Sequence, residues 1–470
     1  MMTLLALELS DAGVMVAGGE PAQLLKIDKG EKESPGYAII QNGHLIVGKD
    51  AQDSARLNPR LYTNRFWDEL NTDPLKQIGF EGKNNAELAY LHLLRIWDFI
   101  KRQGDELVIA VPGFFTQSQL GLILGITKEL SIPVKGFAAT ALAASSKSFP
   151  NHLLFYLDIH LHRIELTYLE QEDQLLYKNS ETLSGNGLNY LYSEWIRAIA
   201  DEFVRTTRFD PFDQAIYEQE LYRRLPQVLK DIQGNPSVVF TMKAGHQTYS
   251  ITITYDLLAK TGKAVFREVR QLIEEIAEKY NQPRMPLIVE VTHRVSQLPG
   301  YREELQKIPV KQIVELEQGS SAMGILELKD RFTIQAGQGV TFLTSRSWQT
   351  TQQFQDFNVE TTPQDLMRPT HILYGNLAYP ISHKPLIIGQ VSADGVHIHV
   401  SDQIEGVSRK HCTIQSRGDT VVLVDHSISG TFVDGTKVSG TTMLRRGQTI
   451  RIGTPGEEFH LITCVRSNET

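Results

Sequence analysis

Apolar positions recur along the first ~340 residues in two alternating rhythms, the two-residue period of a strand and the 3.6-residue period of a helix. Residues 4–9 and 107–112 read as strands, and residues 37–47 as a pair of strands around the turn Asn42-Gly43. Residues 85–102 and 117–130 carry helical spacing, 153–169 a strand–turn–strand, 187–205 and 261–280 long helices, and 287–291 another buried strand. Strands alternating with helices predict an α/β architecture built on open sheets. Residues 345–369 are rich in Thr, Gln and Ser without sustained periodicity and read as a polar linker. From Thr370 onward, short β-rich runs punctuated by Gly, Asp and Ser predict an all-β sandwich of about 100 residues. The expected division is therefore 1–344, 345–369 and 370–470, with no internal repeat visible.

Composition narrows the function classes. A hydrophobic content of 41% with 22% charged residues is that of a soluble globular chain. The net charge of -8 divides into 9 basic against 9 acidic residues from Thr370 onward and 38 against 46 before it. Neither part carries a dominant basic surface, so no nucleic-acid partner is expected. The opening MMTLLALELS has no basic n-region and is interrupted by Glu8, and no stretch reaches the ~20 apolar residues of a spanning helix. Cys412 and Cys464 suit free thiols in a reducing cytoplasm better than a disulfide framework. The expectation is a cytoplasmic protein with no membrane partner.

The most specific residues lie near the C-terminus: Ile388-Gly389-Gln390, then G-V-S-R-K-H from Gly406, S-I-S-G-T-F-V-D-G from Ser427, and Ile452-Gly453. Their order and spacing resemble a forkhead-associated (FHA) domain, a β-sandwich that reads phosphothreonine with loops at one end; the resemblance covers residues 370–465. It implies that Ser408 and Arg409 face the phosphate, that His411 braces the loop from behind, and that Gly389, Gly430 and Thr431 are structural. Two departures stand out. The family's Gly-Arg pair is Gly389-Gln390, and its Thr-Asn pair is Ile428-Ser429, so one charged donor and one hydroxyl are missing. At ~1.5–3 kcal/mol for each hydrogen bond to a charged group, two losses would weaken binding by roughly two to four decades. Ser429 and Gln390 remain at the peptide-binding positions, and Lys410 is placed to restore the lost charge. Phosphothreonine recognition and phosphate-independent docking both stay open here.

The N-terminal part is similar, in four segments taken in order, to the nucleotide-binding domain of the seventy-kilodalton heat-shock chaperones, within the actin superfamily. These segments are L-I-V-G-K-D-A-Q-D-S-A-R-L-N-P from Leu45, L-V-I-A-V-P-G-F-F-T-Q-S-Q from Leu107, F-A-A-T-A-L-A-A from Phe137 and S-G-N-G-L-N-Y-L from Ser184. The resemblance implies two lobes, each a sheet flanked by helices, around a cleft that in the family holds Mg·ATP on glycine-rich hairpins. Here the first hairpin reads Glu8-Leu9-Ser10-Asp11-Ala12 and the second Asp158-Ile159-His160-Leu161-His162-Arg163, with side chains where glycines are required. The adenosine-side Gly-Gly pair is also gone from residues 288–299, and Gly136 stands where a catalytic glutamate is expected. Asp11 would bring negative charge to the place of a triphosphate.

Asp158, His160 and His162 also pose a metal question, since alternate residues of a strand share one face. If residues 160–162 instead form a turn, the imidazoles need not converge, and their polar side chains fill a closed cleft. No metal is assigned. His293, with no Ser or Cys motif beside it, reads as a surface histidine, and neither a Walker loop nor a Gly-x-Ser-x-Gly elbow occurs. The expectation is a non-enzymatic regulator or scaffold: a pseudo-ATPase actin-like body joined to an FHA module that recruits a protein partner, with Thr361 and Thr362 of the linker as an internal phosphosite. No cofactor is expected. The alternatives are a divergent ATPase, which would take ATP and Mg²⁺ at Asp158, and an actin-like filament former.

Overall fold

The computed structural model describes residues 3–280, 285–332, 340–347, 369–374, 377–382, 384–390, 397–401, 404–417, 420–454 and 456–462. They fall into two compact units, Met1–Thr351 and Gln352–Thr470.

The N-terminal unit holds two large sheets with the same topology. In the first, Leu4–Glu8, Val14–Gly18 and Gln23–Leu24 form an antiparallel meander; Glu106–Val111 then lies parallel to Leu4–Glu8, Val134–Ala139 parallel to it, and Thr341–Leu343 completes that edge. In the second, Leu153–Ile159, Arg163–Gln171 and Gln174–Ser184 form the meander, with Leu287–Val291 and Val310–Glu315 added in parallel beside Leu153–Ile159. The sequence shows no repeat, yet the architecture is duplicated: strand order is set by apolar pattern and connection handedness, which many sequences satisfy. The innermost strands are buried on both faces, which is why Leu107–Val111 and Leu153–Leu157 read as unbroken apolar runs.

Three cores follow. One packs the helix Asn85–Ile100 under the first sheet, and one packs Leu188–Thr207 and Tyr255–Tyr280 under the second. The third joins the two sheets and is rich in small residues, including Ala6, Ala110, Ala138, Ala141 and Ala322, which let the layers approach closely. The helix predicted over 261–280 starts earlier, at Tyr255. The helix Ala215–Asp231, with Pro226 inside it, and the hairpin of Ser237–Ala244 with Gln247–Thr254 were not anticipated. The polar linker expected from 345 also starts too early: Ser345–Ser347 pairs with Gln174–Leu176, and Arg346 is buried with its guanidinium 2.5 Å from the Ala143 carbonyl. Apolar periodicity cannot reveal a strand three residues long. Thr361 and Thr362 lie outside the described residues, as does Cys464.

A buried polar chain crosses the first core. Trp67 Nε1–H donates to His92 Nδ1 (2.9 Å), which places the His92 proton on Nε2; this donates to Ser34 Oγ (2.9 Å), and Ser34 donates to Asp28 Oδ2 (2.7 Å). The three residue types are those of a nucleophilic triad, but here the hydroxyl stands between the imidazole and the carboxylate, so no base faces a nucleophile. Burial pushes His92 down to about 4. Its contribution to stability is complete above the unfolded-state value near 6.5 and is lost as pH falls from there toward 4. NMR titration should show the His92 ring neutral down to about pH 4; a midpoint above 6 would contradict the buried neutral assignment.

The C-terminal unit is the β-sandwich that the sequence predicts. Leu386–Gly389, Cys412–Arg417, Thr420–Asp425 and Thr441–Leu444 form one sheet with the edge strand His397–His399. The other contains His371–Tyr374, Glu457–Ile462, Thr449–Ile452 and Phe432–Val433. Ile372, Ile388, Ile414, Leu423 and Phe459 fill the space between them. Cys412 is a free buried thiol, pushed up to about 12 by burial, so it behaves as a small core residue. Among the described residues no helix of the chain is long and apolar enough to cross a membrane.

Candidate functional site

At one end of the sandwich, residues 406–411 and 426–431 form adjoining loops. Gly389 ends its strand directly beneath the first loop: a Cβ there would stand 2.2 Å from the Arg409 carbonyl oxygen and 2.9 Å from that of Ser408. His411 is fully buried between the loops. Its Nδ1 accepts from Ser408 N–H at 3.1 Å, leaving Nε2–H to donate to the Gly430 carbonyl at 3.3 Å. Burial lowers its pKa, which keeps the ring in the neutral form that this tautomer requires.

The second loop is anchored on Asp425, whose Oδ1 accepts from Ser427 N–H (3.0 Å), Ser427 Oγ (2.7 Å) and Thr431 Oγ1 (2.8 Å). Burial alone would raise the Asp425 pKa, but these hydrogen bonds outweigh it and hold it low. Ser427 Oγ in turn accepts from Gly430 N–H at 2.8 Å. Across the gap, Ile428 N–H donates to Ser408 Oγ at 3.4 Å, leaving the Ser408 hydroxyl proton pointing elsewhere.

The side chains at this tip divide clearly. Arg409, Lys410, Ser429 and Ile428 are exposed, and no carboxylate among the described residues pairs with Arg409. The Gln390 amide donates to the Ile404 carbonyl at 3.3 Å, tying two loops together. Lys437 was not singled out from the sequence. Its side chain lies across Gly430 (φ 99°), where an added Cβ would meet its Cε at 2.3 Å and its Nζ at 2.9 Å. A cation thus borders the loop from a strand about nine residues beyond Ile428, too far in sequence for motif spacing to signal.

The second candidate region lies in the N-terminal unit, where the turn after Leu4–Glu8 meets the turn after Leu153–Ile159. His160, Leu161 and His162 lie in the turn after Leu153–Ile159, so the alternate-residue arrangement considered for a metal is absent. His160 points inward to Ser10 Oγ (3.1 Å) and Glu165 Oε2 (3.3 Å), whereas His162 Nε2 meets the Asn64 carbonyl and Oδ1, both at 3.1 Å. Among the described residues no group of three or more His, Cys, Asp or Glu is arranged to hold a metal. Asp11 Oδ1 accepts from Leu161 N–H at 2.8 Å, so a carboxylate of the first hairpin sits on a backbone amide of the second. The carbonyls of His160 and Leu161 accept from Leu188 and Asn189 at the start of the helix Leu188–Thr207.

Arg294 adds a buried cation. Its guanidinium reaches Glu8 Oε1 (3.3 Å), Glu33 Oε1 (2.8 Å) and the Gly13 carbonyl (2.8 Å), with Asp158 Oδ1 at 3.8 Å. Asp158 also accepts from Thr292 Oγ1 (2.7 Å) and Ile159 N–H (2.8 Å). Burial would raise the Asp158 pKa, but His160 and Arg294 hold it below the usual range. His160 is raised despite burial, because Asp158, Glu165 and Asp11 surround it. Burial dominates at Glu8, pushed up to about 7, and also raises Asp11, whereas it lowers His162. Glu8, Asp11, Asp158, His160, His162 and Arg294 are all buried.

No local motif marks Arg294, Glu33 or Glu165 in the sequence, and Arg294 lies 261 residues from Glu33. His293 is also no surface residue: it is buried, its Nε2 lacks a hydrogen-bond partner, and burial pushes it down to about 4.

Comparison with known families bears on the sandwich. Residues 386–453 match the family model of the FHA domain, a span that includes both loops of the exposed tip. The C-terminal unit of this chain carries an FHA domain.

Proposed function

We propose that this chain is a non-enzymatic regulator or scaffold whose FHA domain recruits a protein phosphorylated on threonine. The observation that carries the reading is the tip itself: the Ser408 hydroxyl, the Arg409 guanidinium and the Lys437 ammonium border one loop pair whose backbone is fixed by His411 and Asp425. A dianionic phosphate calls for several charge-assisted donors held in advance. Lys437 and the exposed Lys410 supply charge that Gln390 does not. Ser429 remains available to the peptide backbone, and Gln390, Gly389, His411, Gly430 and Thr431 shape the loops.

The N-terminal body fits a degenerate actin-like fold that serves as a docking scaffold. Support comes from its duplicated sheet topology and from a cleft whose anion-binding groups are occupied internally by Asp11, Glu8 and Glu33. The divergent-ATPase alternative would need Asp158 to face magnesium; its carboxylate instead faces Thr292 and Arg294.

The test is calorimetry on the full chain with Mg·ATP and, separately, with phosphothreonine peptides selected from a degenerate library. A selected phosphopeptide with no heat for ATP supports the proposal. Arg409→Ala should then reduce phosphopeptide affinity by roughly tenfold to a hundredfold, the equivalent of about 1.5–3 kcal/mol for charge-assisted bonds. Micromolar nucleotide binding, or no phosphopeptide selected, would overturn it.

A further inference from the structure

Ile428 is 96% exposed, the most exposed large apolar side chain among the described residues. Single apolar residues on a surface are ordinary, but this one occupies an unusual place. It stands where the FHA pattern carries a threonine, and its N–H is held by Ser408 Oγ at 3.4 Å. The loop around it is rigid: Ser427 is bonded to Asp425 and to Gly430 N–H, and the Gly430 carbonyl is bonded to buried His411. An isoleucine held outward on a fixed loop loses little conformational freedom on binding.

We infer that Ile428 is a specificity-determining residue of the recognition tip, and that the partner segment carries an aliphatic or aromatic side chain within two residues of its phosphothreonine. The inference rests on the phosphothreonine reading above. Charge and distance together select this occupant. Arg409, Lys410 and Lys437 border the loops and demand an anion, whereas Ile428 can offer nothing to one. Because the Ile428 backbone is hydrogen-bonded to Ser408 Oγ, a phosphate resting on that hydroxyl would bring the neighbouring ligand residues, ~3.8 Å apart along the chain, over the isoleucine. The substitution of threonine by isoleucine thus exchanges a phosphate donor for an apolar contact, moving part of the affinity from the phosphate to the residue beside it.

The experiment runs a degenerate phosphothreonine peptide library against the full chain and against Ile428→Ser and Ile428→Leu, followed by fluorescence anisotropy on the selected peptide and on the same peptide with its apolar neighbour replaced by serine. We expect an apolar preference next to the phosphothreonine, a tenfold to hundredfold loss of affinity in Ile428→Ser, near-complete recovery in Ile428→Leu, and little further loss when the serine-substituted peptide meets Ile428→Ser. Phosphopeptides selected without apolar preference, bound equally by wild type and Ile428→Ser, would overturn the inference and leave the phosphothreonine reading standing. A wild-type chain that selects no phosphopeptide would overturn both. Because the side chain is exposed, the melting temperature of Ile428→Ser should match that of wild type, which separates a binding effect from misfolding.

Discussion

Arg294→Met is expected to destabilise the N-terminal unit by about 3–5 kcal/mol, the usual cost of removing one partner from a buried ion pair. The side chain volume is roughly kept, so the loss is electrostatic. Glu8, Glu33 and Asp158 would face one another around a neutral residue, and the Gly13 carbonyl would lose its donor. The defect should depend on pH. Glu8 titrates near 7 even with Arg294 present, and without the guanidinium its folded-state value rises further. A carboxyl raised on folding contributes stability that is full below its unfolded value, near 4.5, and is lost as pH rises through its folded value. Chemical denaturation should therefore show a larger deficit for Arg294→Met at pH 8 than at pH 5.5, and Glu8→Gln added to it should recover part of the deficit at pH 8. Equal deficits at both values would mean that Arg294 acts by packing alone.

The second large effect belongs to Gly389→Ala. The backbone of Gly389 needs no left-handed conformation, so the obstacle is contact: the new methyl would press on the Arg409 and Ser408 carbonyls, which are main chain and cannot rotate aside. Overpacking of this kind costs about 1–3 kcal/mol. Relief comes most readily by lifting the 408–411 loop, which detaches Ser408 N–H from His411 and displaces Arg409. Affinity for a selected phosphothreonine peptide should fall by at least tenfold while far-UV circular dichroism still reports a folded chain. Unchanged affinity would show that the loop absorbs the methyl without moving its side chains.

The sandwich and its two tip loops were legible in the sequence because they depend on local signatures: glycines at close approaches, Ser-Arg-Lys-His in one loop, and short alternating strands between turns. The body was legible at the level of strands and helices. What escaped were features made by tertiary contact. Lys437 reaches Gly430 from a neighbouring strand, and Arg294 meets Glu8 and Glu33 from the short helix His293–Ser296. The tight His160 turn could be anticipated, but not that Asp11 would take the Leu161 amide, since 150 residues separate them. Burial alone turns His293 from a surface residue into an interior one, and no local pattern marks it.

The end of the body adds a mechanical constraint. Thr341–Leu343 pairs with the first sheet and Ser345–Ser347 with the second, so only Thr344 spans between them, and its carbonyl accepts from Tyr177 N–H at 2.9 Å. A single extended residue covers no more than ~3.6 Å. The two sheets are therefore stitched by a tether with almost no slack. Any motion that parts them must pivot at Thr344 or peel away a three-residue strand together with buried Arg346. Tension applied at the C-terminal end of this unit would load the Ser345–Ser347 pairing first, making that short strand the unit's mechanical fuse.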